Sequence, residues 1–480
     1  MDSPLHSIVL RFLNTRDKET WMAISVGIKP QGEASLDATV ASAVSEVLDY
    51  LDRTNVPFVV VAGLSEFPAR ISSDVDIVTR PFWTKAVGRR LCSRAVSVPA
   101  TLVNHFQYHY GDTYVLSVAN GARFVWLDCS SDFRTPGRTW ISCQEILQNV
   151  TRATRFPEPT ADIAFLYQFI KRVTKGSLPH AIAEWLSNQW QKNPERARLR
   201  VTTLWNQQLA AMIEDAADSG NWSNVRANLP AISDELHARG GKQHFGATFA
   251  NGCAEVLRRI KRFSQPTGVF VAVMGSDGSG KSSVIDAMQS TVAGAFRNSA
   301  TYHLRPDCFR TARRMGIPVT NPHANPPRGL AASIAKIAYF AADYCFGYWI
   351  KLRPKLVRST LIVFDRYFHD LLVDPRRYRY GAPTYLARLV GHVIPKPDVW
   401  IFLDAPAEVL QQRKPEVSHE ESVRQRDAYL DMAGGLRNAF VIDATQPLER
   451  VIADVNKAIL TFLAERTATR LGIEPAHNDS

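Results

Sequence analysis

The fold is decided by the stretch Val269-Phe-Val-Ala-Val-Met274, followed at once by Gly275-Ser-Asp-Gly-Ser-Gly-Lys-Ser282. The first part is an apolar run typical of a buried strand. The second satisfies the pattern G-x-x-x-x-G-K-[ST]. Val284, Ile285 and Met288 follow at helical spacing. A strand, a glycine-rich loop and a helix in this order predict a phosphate-binding loop.

The residue types of this loop explain how it would hold phosphate. Glycines allow positive φ, so consecutive backbone N–H groups can point inward, and the helix N-terminus adds a partial positive charge. Lys281 is expected to reach the β- and γ-phosphates of ATP, and Ser282 to hold Mg²⁺. The nucleotide contacts are predicted at Gly275, Ser276, Asp277, Gly278, Ser279, Gly280, Lys281, Ser282 and Ser283.

Strands and helices alternate after the loop, which predicts an α/β fold with a parallel sheet and helices on both faces. The predicted strands are Leu361–Phe364, Val399–Leu403 and Phe440–Asp443. Helices are predicted over Ser282–Phe296 and from Leu448 onward. The polar tail after Arg466 is expected to fray.

Two further regions precede the loop. Short apolar runs predict strands at Phe58–Ala62, Val75–Val78, Tyr114–Val118 and Phe124–Leu127, with a helix over Val40–Leu51 before them. The pattern then turns helical from about Thr160 to Phe263. We therefore predict an α+β domain over residues 1–155, a helical domain over 156–264 and the phosphate-binding domain over 265–480, in keeping with a chain of 480 residues.

Composition excludes some classes of protein. With 45% hydrophobic and 21% charged residues, the chain is neither disordered nor fibrous. The stretch closest to a membrane span, Ala331 to Ile350, carries Lys336 and Asp343, so no span is predicted. The six cysteines form no CxxC pair, which argues against zinc and a disulfide framework. Without a signal peptide after Met1, a cytoplasmic location is expected.

Further motifs resemble the thymidylate kinase family over about Thr267 to Arg466. That family often has an acidic residue at the loop's third position, here Asp277, and an Asp-Arg-aromatic motif after the central strand, here Asp365-Arg366-Tyr367. A strand introduced by Pro397-Asp398 and ending in Leu403-Asp404 also matches the family pattern. The run from Ala405 to Arg413 and the segment Val441-Ile-Asp443-Ala444 complete the resemblance.

The resemblance implies a kinase that uses ATP and Mg²⁺, with Lys281 in the catalytic centre. It implies that Asp365 holds Mg²⁺ through water and that Arg366 neutralises the phosphate of the acceptor. Asp277 would accept a hydrogen bond from the acceptor or support the site. Arg413, with Lys414, would lie in a lid and offset charge on the transferring γ-phosphoryl group.

The segments expected to face the acceptor depart from the family. On the second strand only Arg305 and a proline remain of the usual Arg-Glu-Pro-Gly-Gly. A cationic stretch carrying Arg376, Arg377 and Arg379 follows the Asp-Arg-aromatic motif. These arginines either grip an extra phosphate or a phosphosugar, or form a basic surface loop. The acceptor is therefore a nucleoside monophosphate or another small phosphorylated compound.

A second candidate site lies near the N-terminus. Asp74 and Asp76 lie at i and i+2 on a predicted strand and so share one face, and Asp128 ends a later strand. Like charges at this distance need a cation. With the turn at Gly63, the set resembles nucleotidyltransferases of the polymerase β type. The resemblance implies a nucleotidyltransferase-like domain in which the three carboxylates bind two Mg²⁺ ions.

Three functions remain open from sequence. The first is phosphoryl transfer from ATP to a small phosphorylated acceptor. The second is nucleotidyl transfer to a sugar, protein or RNA by Asp74, Asp76 and Asp128, with the phosphate-binding loop regulatory. The third is nucleic-acid binding through the net charge of +11. The third is disfavoured because many of the cations gather around the loop; a homodimer stays open.

Overall fold

The structure is a computed structural model that describes residues 33–71, 74–92, 100–108, 111–135, 138–239, 256–309, 326–415 and 417–473. The predicted lack of a signal peptide at Met1 and the end of the tail lie outside these residues, as does Cys253. The five other cysteines are free thiols. No helix in the described ranges is long and apolar enough to cross a membrane.

The N-terminal part is a mixed five-stranded sheet with two helices of its own on one face. Its strand order is β1-β2-β5-β4-β3, and only β2 and β5 pair in parallel. The elements are α1 (Glu33–Arg53), β1 (Phe58–Ala62), β2 (Val75–Thr79), α2 (Pro81–Cys92), β3 (Ala100–Gln107), β4 (Gly111–Val118) and β5 (Arg123–Ser130). Apolar side chains of one sheet face pack against α1 and α2.

A helical region follows after two small ribbons. Its core gathers the buried rings of Phe165, Phe169, Trp190, Trp205 and Trp222. The ribbon strands and a short helix are β6 (Phe133–Thr135), β7 (Arg138–Ile141), α3 (Cys143–Gln148), β8 (Val150–Thr151) and β9 (Glu158–Pro159). The helices are α4 (Ala161–Val173), α5 (His180–Lys192), α6 (Pro194–Leu204), α7 (Gln207–Ser219), α8 (Ser223–Ala227) and α9 (Leu229–Arg239).

The C-terminal part is a five-stranded sheet, parallel throughout, in the order β11-β12-β10-β13-β14. The strands are β10 (Val269–Met274), β11 (Asn298–His303), β12 (Thr360–Asp365), β13 (Val399–Asp404) and β14 (Ala439–Asp443). The helices are α10 (Lys281–Ser290), α11 (Leu330–Gly347), α12 (Arg353–Val357), α13 (Asp370–Val373), α14 (Thr384–Val393), α15 (Ala407–Arg413), α16 (His419–Gly434) and α17 (Leu448–Leu471).

The central strand β10 is apolar on both faces because helices cover both. Val271 and Val273 point to one side, where α10 and α17 pack, and Phe270 and Met274 point to the other, where α11 and α16 pack. The loop after β10 lies at the carboxyl edge of the sheet. The chain continues from β10 to β11 and β12 on one side of it and to β13 and β14 on the other. Open α/β sheets bind ligands at such switch points.

The predicted α/β class is confirmed, together with a parallel sheet around β10. The predicted helix over Ser282–Phe296 is shorter: α10 ends at Ser290, and a 3₁₀ turn occupies Val292–Ala295. The strand β3 was not predicted, because its apolar residues are interrupted by the buried Asn104. The predicted domain limits at residues 155 and 264 stay predictions.

The prediction that the chain frays after Arg466 was wrong as far as Leu471, because α17 continues to that residue. Arg466 donates to the carbonyls of Gly268 (2.8 Å) and Thr267 (3.1 Å). Thr467 is buried and donates to the Val103 carbonyl at 3.0 Å. The helix end is thus fixed between the two large sheets, and Val103 shares an apolar core with β10.

The buried His369 gives stability a predictable pH dependence. It is 6% exposed, its Nδ1 finds no hydrogen-bond partner among the described residues, and its ring meets Trp400 at 4.9 Å. Burial, with charge on Lys396 and His392, lowers its pKa from 6.5 to about 4. The unfolded chain accepts the proton near pH 6.5, so stability is full above that value and falls as pH drops toward 4.

We expect this group to cost about 2 kcal/mol of unfolding free energy between pH 7.5 and pH 5. Urea denaturation at both pH values measures it, and His369→Gln should remove that part of the pH dependence. His180→Gln, at a histidine whose side chain is 80% exposed, is the matched control. An unchanged pH dependence in His369→Gln would show that other groups cause it.

Candidate functional site

The loop after β10 has the backbone that phosphate binding requires. Gly275 has φ of 146°, and a β-carbon there would lie 2.8 Å from the Leu403 carbonyl oxygen. Gly278 and Gly280 have φ of 84° and 89°, which L side chains rarely adopt. Gly280 directly precedes the first turn of α10, so the loop's N–H groups and the helix N-terminus face the same space.

Lys281 is buried and turned toward its own loop. Its ammonium donates to the carbonyls of Ser276 (2.8 Å) and Gly275 (3.0 Å), and lies 3.9 Å from Asp277 Oδ1. Burial, followed by the charge of Arg366, lowers the pKa of Lys281 to about 7. Burial thus disfavours the charged form of Lys281, and a bound polyphosphate would supply the negative charge that stabilises it.

Asp365 ends β12 beside the loop. It lies opposite Val273 of β10 and His303 of β11, and its Oδ2 is 3.1 Å from His303 Nδ1. Its Oδ1 is buried and accepts no hydrogen bond from the described residues. The Ser279 hydroxyl is also buried and has no hydrogen-bond partner among them. An unpartnered carboxylate oxygen next to a phosphate-binding loop fits Mg²⁺ or its water shell, since Mg²⁺ needs few protein ligands when phosphates supply the others.

Arg366 is the centre of a buried polar network. It is 4% exposed, has φ of 67°, and donates through Nη1 to both Asp370 oxygens at 2.9 Å. Its Nη2 donates to Asp277 of the loop. Tyr378 and Tyr429 donate their hydroxyls to the same Asp370 carboxylate. Burial opposes the charge, but Asp370 and its neighbours raise the pKa of Arg366 well above its usual value.

The three arginines of the cationic stretch point to different places. Arg377 donates to Asp277 Oδ2, so this carboxylate holds two guanidinium groups, those of Arg377 and Arg366. Arg376 is exposed. Arg379 has φ of 51° and donates to the Pro326 carbonyl at 3.1 Å. Only Arg377 is thus placed at the phosphate-binding loop.

Arg305 lies at the end of β11 against α11. Its guanidinium stands 4.8 Å from the ring centre of Phe340 and 5.2 Å from that of Tyr339. It pairs with Asp307 at 3.2 Å and reaches Asp343 at 3.6 Å.

Arg413 and Lys414 end α15 next to the loop. A β-carbon at Gly278 would lie 3.4 Å from Lys414 Cβ and 3.6 Å from Arg413 Cβ. Arg413 donates to the Ala444 carbonyl at 3.0 Å. The two cations therefore border the loop at Gly278, and their role in a lid stays a prediction.

Several residues of the candidate site were not predicted from the sequence. Asp370 holds Arg366, and Tyr378 and Tyr429 donate to Asp370. Arg426 and Asp404 form a bidentate pair (2.7 and 2.8 Å) that lines a pocket with Tyr429. Tyr429 lies 63 residues after Arg366 on α16, and no local pattern marks it. The signal available was Asp370 itself, a carboxylate four residues after Arg366 in an apolar stretch.

The N-terminal carboxylates lie where the first sheet meets the helical region. Asp76 and Asp128 lie directly opposite each other on β2 and β5. Lys171 of α4 donates to Asp76 Oδ2 at 2.5 Å, and Thr113 donates to Asp128. Across the described ranges no group of three His, Cys, Asp or Glu residues could hold a metal ion. The metal role of Asp74, Asp76 and Asp128 thus rests on the sequence pattern alone.

Comparison with known proteins points to one group of enzymes. No protein family model matches the chain. The chain is 26% identical over 121 residues to the thymidylate kinase of Marinomonas sp. (strain MWYL1), which is 23% of this chain and 57% of that protein. It is 25% identical over 198 residues to probable thymidylate kinase 1 of Saccharolobus solfataricus, 39% of this chain and 95% of that protein. The chain is thus distantly similar to thymidylate kinases.

Proposed function

We propose that the protein is an ATP- and Mg²⁺-dependent phosphotransferase that moves the γ-phosphoryl group of ATP to a small phosphorylated acceptor. The observation that carries the proposal is the buried Lys281 of the loop facing Asp277, which in turn holds Arg366 and Arg377. One carboxylate thereby couples the donor's binding loop to two cations suited to an acceptor phosphate.

Each residue group has a place in this reaction. The loop and Lys281 bind the β- and γ-phosphates, and Arg366 with Arg377 orients the acceptor phosphate toward the γ-phosphorus. An acceptor oxygen forms the new P–O bond while the bond from the γ-phosphorus to the bridging oxygen breaks, leaving ADP. Arg413 and Lys414 are near enough to the loop to offset charge on the moving group. Mg²⁺, held by Ser282 and by Asp365 through water, would neutralise the phosphate oxygens.

Transfer of label from ATP tests the proposal and separates it from the nucleotidyltransferase alternative. The wild-type protein is incubated with Mg²⁺, a panel of nucleoside monophosphates and sugar phosphates, and ATP labelled at either the γ- or the α-phosphate. We expect γ-label to reach an acceptor and α-label to reach none. Transfer of α-label that Asp76→Ala abolishes would favour the alternative, and an absence of γ-transfer to every acceptor would contradict the proposal.

The contact between Lys171 and Asp76 bears on that alternative. The ammonium of Lys171, 2.5 Å from one carboxylate oxygen of Asp76, already neutralises one of the charges that the metal ions would have to balance. The structure therefore favours phosphoryl transfer at the C-terminal loop over nucleotidyl transfer at the N-terminal sheet.

A further inference from the structure

A second group of cations lies beside α11, near Tyr378 of the network around Arg366. Lys336 Nζ lies 5.4 Å from the ring centre of Phe340, on which Arg305 also packs, and 5.8 Å from that of Tyr378. The ammonium donates to the Tyr378 carbonyl. Arg305 and Lys336 are thus brought together on one aromatic ring.

Two more arginines complete this group, which we call the α11 cage: Arg305, Arg328, Lys336 and Arg379. The backbone N–H of Arg328 donates to the Arg379 carbonyl at 3.1 Å, and Arg379 Nε donates to Pro326, so the two segments are joined. Burial, and then the charges of Arg328, Arg305 and Arg379, lower the pKa of Lys336 to about 8. The charges of these three arginines thus reach Lys336, and Arg305 shares the Phe340 ring with it.

Positive charge outweighs negative charge in the α11 cage. Within the described part of the chain, Arg305 alone of the four pairs with carboxylates, those of Asp307 and Asp343. The cations of the cage repel one another, and since only Arg305 has carboxylate partners among them, an anion bound beside Lys336 would relieve that repulsion.

Backbone strain gathers at the same place. Among the described residues, six that are neither glycine nor asparagine have positive φ, and three of them belong to the α11 cage or stand close to Arg305 in sequence: Leu304, Asp307 and Arg379. Conformations of this kind are strained and persist where the surrounding structure requires them, often at ligand sites.

The α11 cage is distinct from the cations at the loop. Tyr378 lies between them: its hydroxyl bonds Asp370 next to Arg366, whereas its carbonyl and ring contact Lys336. Because Tyr378 contacts both Lys336 and Asp370, which holds Arg366, the two groups of cations are linked through one tyrosine. The faces of Phe340 and Tyr378 there are met by cations, an environment that suits an anionic group better than an uncharged ring.

We propose, on the basis of the proposed phosphotransferase function, that the acceptor is a small compound with two anionic groups, such as a phosphosugar with a second phosphate, and that Lys336, Arg305, Arg328 and Arg379 bind the second group. The receiving phosphate lies at Arg366 and Arg377. The substrate class is thereby a bisphosphate rather than a nucleoside monophosphate.

Calorimetric titration tests this subsite without requiring turnover. The protein is saturated with Mg²⁺ and a non-hydrolysable ATP analogue and titrated with glucose 1,6-bisphosphate, ribose 1,5-bisphosphate, inorganic pyrophosphate, glucose 6-phosphate and thymidine monophosphate. We expect at least one bis-anionic probe to bind about 10-fold or more tightly than both monophosphates, since charge-assisted contacts are the strongest hydrogen bonds.

Variants assign the advantage to the α11 cage. Lys336→Met, which keeps the apolar stem, and Arg328→Gln, at an exposed side chain, should each remove most of it, while Lys457→Met on the exposed side of α17 should leave it intact. The subsite is overturned if no bis-anionic probe binds more tightly than the monophosphates, or if the advantage survives both cage variants. Either result leaves γ-phosphoryl transfer standing, because that is measured separately by label transfer.

Discussion

Replacing Lys281 with methionine is expected to lower the rate of phosphoryl transfer about 10²- to 10³-fold, the usual effect of removing one group that stabilises charge in the transition state. The methionine keeps the length and apolar body of the side chain. The ammonium that would leave the carbonyls of Gly275 and Ser276 for the phosphates of ATP is lost. Steady-state kinetics with γ-labelled ATP measures the change.

The same substitution should leave the unliganded fold as stable as before, or more so. Burial lowers the pKa of Lys281 to about 7, which means that the folded protein disfavours the charged form. A thermal melt without nucleotide should therefore show no loss, whereas stabilisation by ATP and Mg²⁺ should shrink. Lys457→Met serves as control in both measurements. Unchanged turnover in Lys281→Met would refute the assigned role of the loop.

The sequence was most informative where local pattern and tertiary structure agree. The run Val269–Met274 is apolar at every position because helices cover both faces of β10, and the glycines at 275, 278 and 280 mark backbone that other residues rarely adopt. In the N-terminal sheet, β3 was missed because Asn104 is buried in it, where its side chain donates to the carbonyls of Thr267 and Ala295. That polar residue belongs to a contact between distant segments.

The site was predictable only in part for the same reason. Gly275 to Ser282 and the pair Asp365-Arg366 follow from motifs within single segments. The network around Arg366, by contrast, draws Asp370 from α13, Tyr378 from the turn after it and Tyr429 from α16, and these residues meet only in the folded chain. Lys336 was noticed only as an interruption of an apolar stretch; its proximity to Arg305 becomes visible when α11 packs beside β11.

Replacing Asp370 with asparagine is expected to lower the unfolding free energy by up to about 3–5 kcal/mol, the usual cost of breaking a buried ion pair. This is an upper limit because Asp277 remains bonded to Arg366. Asp370 is fully buried, and both of its oxygens accept from Arg366 Nη1 at 2.9 Å. The asparagine side chain would keep the shape and remove the negative charge. Urea denaturation measures the loss, and Asp431→Asn, on the exposed side of α16, should change stability by less than about 0.5 kcal/mol.

A double variant distinguishes the ion pair from simple loss of packing. Arg366→Met combined with Asp370→Asn removes both charges, so the double variant should be more stable than the sum of the two single losses predicts. If the loss of the double variant equals the sum of the two single losses, the contact between Arg366 and Asp370 contributes little and Asp277 alone holds Arg366.

The ion pair also predicts a kinetic effect that packing alone does not. Asp370 and Asp277 fix the Arg366 guanidinium from two sides, and of the two only Asp277 belongs to the loop that we propose binds ATP. In Asp370→Asn the KM for the acceptor should therefore rise, while the dissociation constant of the ATP analogue stays within about twofold. If both constants rise together, the substitution has disturbed the loop as well, and Arg366 does not separate the acceptor side from the donor side. If only the acceptor constant changes, Asp370 is a positioning residue for the acceptor phosphate.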